Sequence, residues 1–430
     1  MSARDVGIGL VVHADSDFLD LVHPLLPQLD YLEVTPETLW RWQPDGRLAP
    51  NGFHPRILAM GRDAGLPFVA HGTGFSLATI DDDDAARRAR WLDRIRADHT
   101  AFRFRWYTEH LGATMLGGVH VGLPCPVPMS GEHARAARHR LADLRDVVGR
   151  AGVENTAHHF CLGDALDEPA FLTAAIDAPG LHLLLDLHNL HAMATNLGFD
   201  PLAYLERLPL DRVIEIHLAG GGESDPAWVA SRRRFVLDGH DRRVPEAVWA
   251  LLDHVLPHCP GLRGVTIERL DGTLEDDDVG RLAAELRRAR RAVDSAHRGG
   301  SGRMAAAAAP SVHPAWSGAI ERAYGSALCE RDPVAAIGRL AGALECPDAV
   351  RAALRAADPD GIRLTGLLIT KLRFQRVLNG SGDATRWFVR DGAGFTAAFL
   401  AYHRAELPTD HAPAVEAGNF RAWCRRWALG

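Results

Sequence analysis

The chain's six cysteines, at 125, 161, 259, 329, 346 and 424, form no CxxC pair. Neither a zinc knuckle nor a disulfide framework is expected from them. No apolar run is long enough to span a bilayer, and the opening stretch MSARDVGIGLVVHADSDF lacks a signal-peptide apolar region. A reducing cytoplasm is therefore the expected compartment, with no membrane partner. Positive charge is also lacking: the net charge is −7, which gives no electrostatic reason to expect DNA or RNA. The Arg-rich piece RRARRAV at 287–293 reads as the solvated face of an amphipathic helix. No Gly-x-Gly-x-x-Gly follows the first strand pattern, which removes the ordinary dinucleotide signature.

What is present is alternation. Short apolar runs recur: GIGLVVH (7–13), YLEVT (31–35), FVAHG (68–72), RWYTEHLG (105–112), GVHVG (118–122), GVENT (152–156), HLLLDLHN (182–189), VIEIHLAG (213–220) and GVTIE (264–268). Between them lie helix formers such as ARRARWLDRIRADHTAFRFR and VPEAVWALLDHVL. Repeated βα units predict a mostly parallel sheet. Residues 1–295 suit an α/β fold of the (β/α)8 TIM type, with an open doubly wound sheet as the alternative. Residues 296–312, rich in Gly and Ala, read as a linker. Residues 313–430 read as a smaller, mainly helical domain, with helices expected over 313–356 and 365–430.

The strand ends carry the chemistry. Polar side chains close nearly every run: His71, His110, Glu154, Asp186, His217, Asp238, His240 and Glu268. His217 alone is compatible with a packed core imidazole. In a barrel, however, these ends meet on one face. Crowded buried carboxylates raise one another's pKa, and a cation offsets that charge. Imidazole with carboxylate and no thiolate suits Fe, Mn, Zn or Co, and eight donors exceed what one ion takes. Glu33 is placed to orient a ligand histidine. Asn155, His188 and Asn189 lie beside the set. Asp238 with His240, and Asp186 with His188, read as pairs on one strand face. His13 ends the first strand and is a further candidate for the mouth. His158 and His159 read as an exposed loop pair, and Asp81 to Asp84 as a helix N-terminus. Trp40 and Trp42 suit loop anchors or substrate-facing aromatics equally.

The ordered motifs YLEVTPE (31–37), AHGTGFSLA (70–78), TEHLG (108–112), GVENT, LLLDLHNLHAMATNLGFDPLAYL (183–205), EIHLAGG (215–221), LDGHDRRVPEAVWALL (237–252) and VTIERLDG (265–272) carry a family likeness. Over roughly 5–290 the chain resembles the multinuclear non-haem iron-dependent oxidative enzymes once labelled DUF692, which include the methanobactin maturation oxidase. The resemblance implies an O2-dependent oxidase acting on cysteine in a ribosomally made precursor peptide, with two or three Fe(II)/Fe(III) ions. It implies that His71, His110 and Glu154 hold one iron, and Asp186, His217 and Glu268 the next. Asp238 and His240 then hold or bridge toward another, near Asn189. Departures are visible. The family's Asp-Val-Asn-Asn run is here Asp186, Leu187, His188 and Asn189, and its usual histidine in a later segment is here Leu197. The stretch WFVRDGAGFTAAFLAYHRAELP (387–408) resembles, more weakly, the helical proteins that grip the precursor's leader, which implies a fused partner. A xylose isomerase-like divalent-metal barrel enzyme, acting as a sugar isomerase or phosphodiesterase, is the alternative reading.

Overall fold

The computed structural model describes residues 6–43, 47–82, 84–296, 316–343 and 348–427. Eight parallel strands close a barrel in chain order. They are β1 (Gly7–Val12), β2 (Tyr31–Val34), β3 (Phe68–Gly72), β4 (Tyr107–His110), β5 (Ala151–Glu154), β6 (Leu181–Asp186), β7 (Val213–Leu218) and β8 (Gly264–Ile267). The ring shuts where Gly7 of β1 pairs with Gly264 of β8. This is the TIM-type barrel expected of the βα alternation.

One expected strand-like segment lies elsewhere, and two pairs expected on a strand face do not share one. GVHVG belongs to an antiparallel hairpin, Ala113–Leu116 with Val119–Cys125, inserted after β4. Its turn is Gly117-Gly118, both at positive φ (52° and 78°), which a two-residue hairpin turn requires. The segment FVLDGH forms no strand. Val236 makes only an isolated bridge to Glu223, and His240 sits at φ 47°. Asp238 and His240 are therefore loop residues and share no strand face. Asp186 and His188 do not share one either, because β6 ends at Asp186 and a helix, Leu187–Leu197, begins at the next residue.

Barrel interiors alternate along each strand. At the amino end Tyr31 fills the bore. A Cβ on Gly9 or on Gly264 would lie 2.3 Å from the Tyr31 side chain, so glycine is required at both. Glu215 accepts from Tyr31 Oη (3.1 Å), Trp106 Nε1 (2.6 Å) and Thr266 Oγ1 (2.6 Å). That layer plugs the base. Two residues further along β7, His217 opens the next layer toward the carboxyl ends.

Beyond the barrel, seven helices follow among the described residues: α1 (Gly318–Leu328), α2 (Pro333–Gly342), α3 (Asp348–Ala356), α4 (Pro359–Asn379), α5 (Gly382–Arg390), α6 (Gly392–Ala405) and α7 (Pro413–Arg426). Tyr324, Leu328, Ile337, Ile362 and Ile369 join one continuous apolar core with Leu116, Val119 and Val121 of the hairpin. Phe395, Phe399, Tyr402, Phe420 and Trp423 build a separate core. The helices dock on loops at the carboxyl end of the barrel. Glu321 accepts from the backbone N–H groups of Ile80 (2.8 Å) and Asp81 (3.1 Å). Arg322 donates to Gly117 O (2.7 Å) and Tyr324 Oη to Pro126 O (3.1 Å). Gly361 passes so close to His159 O that a Cβ would lie 2.1 Å from it. The expected linker 296–312 lies outside the described residues except for Ala296. No helix among the described residues is long and apolar enough to cross a membrane.

Candidate metal centre

Eight side chains from six strand ends and one loop form a single connected cluster. Glu154 Oε2, at the tip of β5, lies 2.7 Å from His110 Nδ1 and 3.3 Å from His71 Nε2. Its Oε1 lies 3.6 Å from His217 Nδ1. The same His217 nitrogen is 3.2 Å from Glu268 Oε2 and 4.0 Å from Asp186 Oδ2. Glu268 continues to His240 Nε2 at 3.6 Å, which meets Asp238 Oδ1 at 2.6 Å. His71, Glu154, Asp186, His217 and Glu268 are all buried, whereas the side chains of Asp238 and His240 are 26% and 20% exposed. The cluster thus runs from the barrel interior to its mouth.

Orientation comes from behind. His71 Nδ1 lies 2.9 Å from Thr108 Oγ1, so Nε2 faces Glu154. His217 Nε2 lies 3.1 Å from Glu33 Oε2, so Nδ1 faces the three carboxylates. Asn155 does not face the cluster. Its amide clamps the backbone of Asp186, donating to Asp186 O and accepting from Asp186 N, both at 2.9 Å. Asp186 Oδ1 caps the helix behind it by accepting from Asn189 N at 2.5 Å. Asn189 Nδ2 reaches Glu154 Oε1 at 3.4 Å. His188 places Nε2 3.3 Å from Leu237 O, under the loop that carries Asp238 and His240. His13 meets Arg269 O at 2.8 Å.

The charges are those of a carboxylate-rich pocket. Burial, reinforced by Glu154, Glu268 and Asp238, holds the Asp186 pKa well above the usual range. Burial opposes protonation of His217, but Glu268 and Glu33 outweigh it and hold its pKa well above the usual value. His240 is raised in the same way against burial, by Asp238 and Glu268. Among the described residues, His71 Nε2, His110 Nδ1, Glu154 Oε2, Asp186 Oδ2, His217 Nδ1 and His240 Nε2 are buried atoms with no hydrogen-bond partner. Buried polar atoms are normally paired. Six orphaned nitrogen and oxygen donors that converge are what metal ligands look like without their ion. Among the described residues, three sets of donor atoms lie within 4.8 Å of one another: His71, Glu154 and His217; Glu154, Asp186, His217 and Glu268; and, on the far side of the His217 ring, Glu33, Glu215 and His217.

Some expectations fail at the margins. His158 and His159 are buried, 4% and 7% exposed, rather than an exposed loop pair. Gly361 of α4 and the Phe235 ring pack against this loop, and neither was legible in that stretch. Trp40 is an anchor, donating from Nε1 to Asp98 at 2.6 Å. Thr108 was missed, although its place two residues before His110 on one strand puts both on the same face. Glu37 was missed as well. It accepts from Thr73 N (2.6 Å) and Gly74 N (2.9 Å) and so fixes the loop that follows His71.

Residues 5–294 match the model of the family described as RiPP precursor modification enzyme MbnB/TglH/ChrH. The chain belongs to this family. Relatives of this chain include a UPF0276 protein of Rhizorhabdus wittichii, 32% identical over 284 residues, covering 66% of this chain and 91% of that protein. A UPF0276 protein of Caulobacter vibrioides is 31% identical over 298 residues, covering 68% and 95%. Among solved structures, a xylose isomerase-like TIM barrel protein from Mycobacterium smegmatis in complex with magnesium has a TM-score of 0.46 at 14% identity, covering 69% of this chain and 99% of that one. The family match stops at residue 294, so α1 to α7 lie beyond it.

Glu33 supplies one prediction. Glu33→Gln keeps the volume and an acceptor for His217 but removes the charge behind it. Metal affinity is expected to fall about 10–100-fold, the usual cost of losing such a partner. Metal titration monitored by absorbance checks this, and an unchanged affinity would mean that His217 is oriented by other groups.

Proposed function

We propose that this chain is a multinuclear iron oxidase that uses O2 to modify cysteine in a ribosomally made precursor peptide. The observation that carries the reading is the run of orphaned His and carboxylate donors shared through Glu154, His217 and Glu268, in a family of peptide-modifying enzymes. His71, His110 and Glu154 would hold one ion, Asp186, His217 and Glu268 a second, and Asp238 with His240 a third. Nitrogen with oxygen and no thiolate suits iron. Bound iron supplies the one-electron and O2 chemistry that these side chains lack.

The chain's own residues do the rest. Thr108 and Glu33 fix the imidazoles, and Asn155 fixes Asp186. The Tyr31–Trp106–Glu215 layer seals the barrel beneath the centre, so substrate enters from the Asp238–His240 side. There a cysteine side chain meets the more exposed part of the cluster. His188 steadies the loop carrying that pair. The helices α1 to α7 take the place of a separate leader-gripping partner.

The test is metal analysis of anaerobically purified protein, followed by incubation with a Cys-containing peptide encoded beside the gene, Fe(II) and O2. At least two irons per chain and an O2-dependent mass change in the peptide are expected. Full activity with a single zinc, or sugar turnover without O2, would replace the proposal with a divalent-metal isomerase.

A further inference from the structure

Between the barrel and the helices lies a cleft of about 240 Å³ that shares no lining residue with the metal centre. Its walls include Gly74 from the loop after β3, His120 and Gly122 from the hairpin after β4, Gln375 and Arg376 from α4, and His411. Arg376 is the unusual member. Its Nε and Nη2 are buried without a hydrogen-bond partner among the described residues. A Cβ on Gly122, at φ 72°, would lie 2.3 Å from Arg376 Nη1, so the glycine clears the space the guanidinium fills.

The neighbouring Arg373 and Arg87 each have a carboxylate in direct contact, although Arg373 Nη2 is itself unpartnered; Arg376 feels the Glu416 charge without such a contact. Arg373 is paired with Glu416 at 2.7 Å, and Arg87 with Asp84 at 2.6 Å. Glu416 is further engaged by Tyr402 Oη at 2.7 Å. His120 is 3% exposed, and its Nδ1 also lacks a partner. Its Nε2 lies 3.3 Å from His411 Nδ1, so in one tautomer His120 is left free to donate from Nδ1. Burial, then Arg376, holds the His120 pKa well below its ordinary value, and burial with Arg87 and Arg376 pushes His411 down to about 3. Both rings are therefore neutral near pH 7, and the charges acting on them are cationic.

A half-buried guanidinium with two buried, unmet donors beside a neutral imidazole donor is suited to a planar anion. The guanidinium fork matches a carboxylate, and the volume admits a side-chain end rather than a nucleotide. The place fits as well. Gly74 follows His71 by three residues, and Thr114, also on the wall, follows His110 by four. The cleft shares its loops with the metal-facing strand ends. We propose that it is a carboxylate subsite that holds an Asp or Glu side chain of the peptide substrate beside the metal centre. The assignment of the carboxylate to a peptide rests on the peptide-oxidase reading above.

The test uses the full chain and a fluorescently labelled peptide carrying Asp and Glu, with a twin in which these are Asn and Gln. The wild type is expected to bind the acidic peptide about ten-fold tighter, the order of one charge-assisted pair. Arg376→Gln should abolish the preference, and Arg376→Lys should keep part of it. Gln375 is exposed at the rim, so Gln375→Glu tests the same charge without disturbing the buried wall and should also abolish the preference. Equal binding of the two peptides by the wild type overturns the proposal. So does a preference that survives both Arg376→Gln and Gln375→Glu. If acetate or inorganic phosphate binds while neither peptide does, the cleft is a small-anion site and the peptide assignment falls. Binding is read without turnover, so a preference that persists in a protein unable to oxidise cysteine would sink the oxidase reading and leave the subsite standing.

Discussion

On the function proposed above, His217→Ala is expected to lose at least one bound metal ion per chain and to lower peptide turnover by about a thousand-fold or more, roughly 4 kcal/mol of transition-state stabilisation. His217 is fully buried. Its Nδ1 lies within 4.0 Å of the carboxylates of Glu268, Glu154 and Asp186 together. Removing it leaves three carboxylates facing one another in a low-dielectric interior, where like charges resist ionisation. The remaining set is both one donor short and harder to deprotonate, so the two effects add. Elemental analysis and peptide mass measurement read the loss, and circular dichroism confirms the fold. His139, exposed on the helix Gly131–Val148, serves as the control. His139→Ala should change neither metal nor turnover. Wild-type metal content and rate in His217→Ala would remove this residue, and with it the shared-ligand picture.

The legible and illegible parts of this chain divide on physical grounds. The barrel was legible because parallel strands are buried on both faces and read as near-continuous apolar runs. Their ends were legible because a polar group closing such a run, as in HLLLD or VIEIH, has no use in a dry core. The Asp238–His240 loop kept its chemistry but not its expected form. Two-residue spacing looks like a strand whether or not a neighbouring strand is there to pair, and here only Val236 finds a bridge. GVHVG was a strand, yet its membership of a hairpin depended on its own Gly118 and on Gly117 just before it. Helix α4 begins at Pro359, within a stretch that carried no helical expectation. Its buried positions include Asp360, Gly361, Thr365, Gly366 and Arg373 beside Ile362 and Ile369. An apolar-period search cannot see a buried face of that composition. The same reason hid the Arg376 cleft, whose parts come from residues 73–122 and 372–411.

A second large effect is expected in the helical half. Arg373 and Glu416 form an ion pair at 2.7 Å with side chains 0% and 1% exposed. Arg373 also donates from Nη1 to Glu406 O at 2.6 Å, and its guanidinium lies 4.4 Å from the Tyr402 ring centre. The pair ties α4 to α7, with α6 between them through Tyr402. Glu416→Ala leaves the Arg373 charge buried and unpaired, which costs about 3–5 kcal/mol. Unfolding midpoints in urea, followed by near-ultraviolet dichroism of the Tyr402, Phe420 and Trp423 cluster, should fall accordingly. The double variant Arg373→Met with Glu416→Leu should recover most of the loss, because apolar replacement of both partners removes the desolvation cost along with the attraction. Bound-metal content should hold in the double variant, since none of the barrel donors touches this pair. A single Glu416→Ala variant as stable as the wild type would mean that water or another group reaches Arg373, and that α7 is held by its aromatic packing alone.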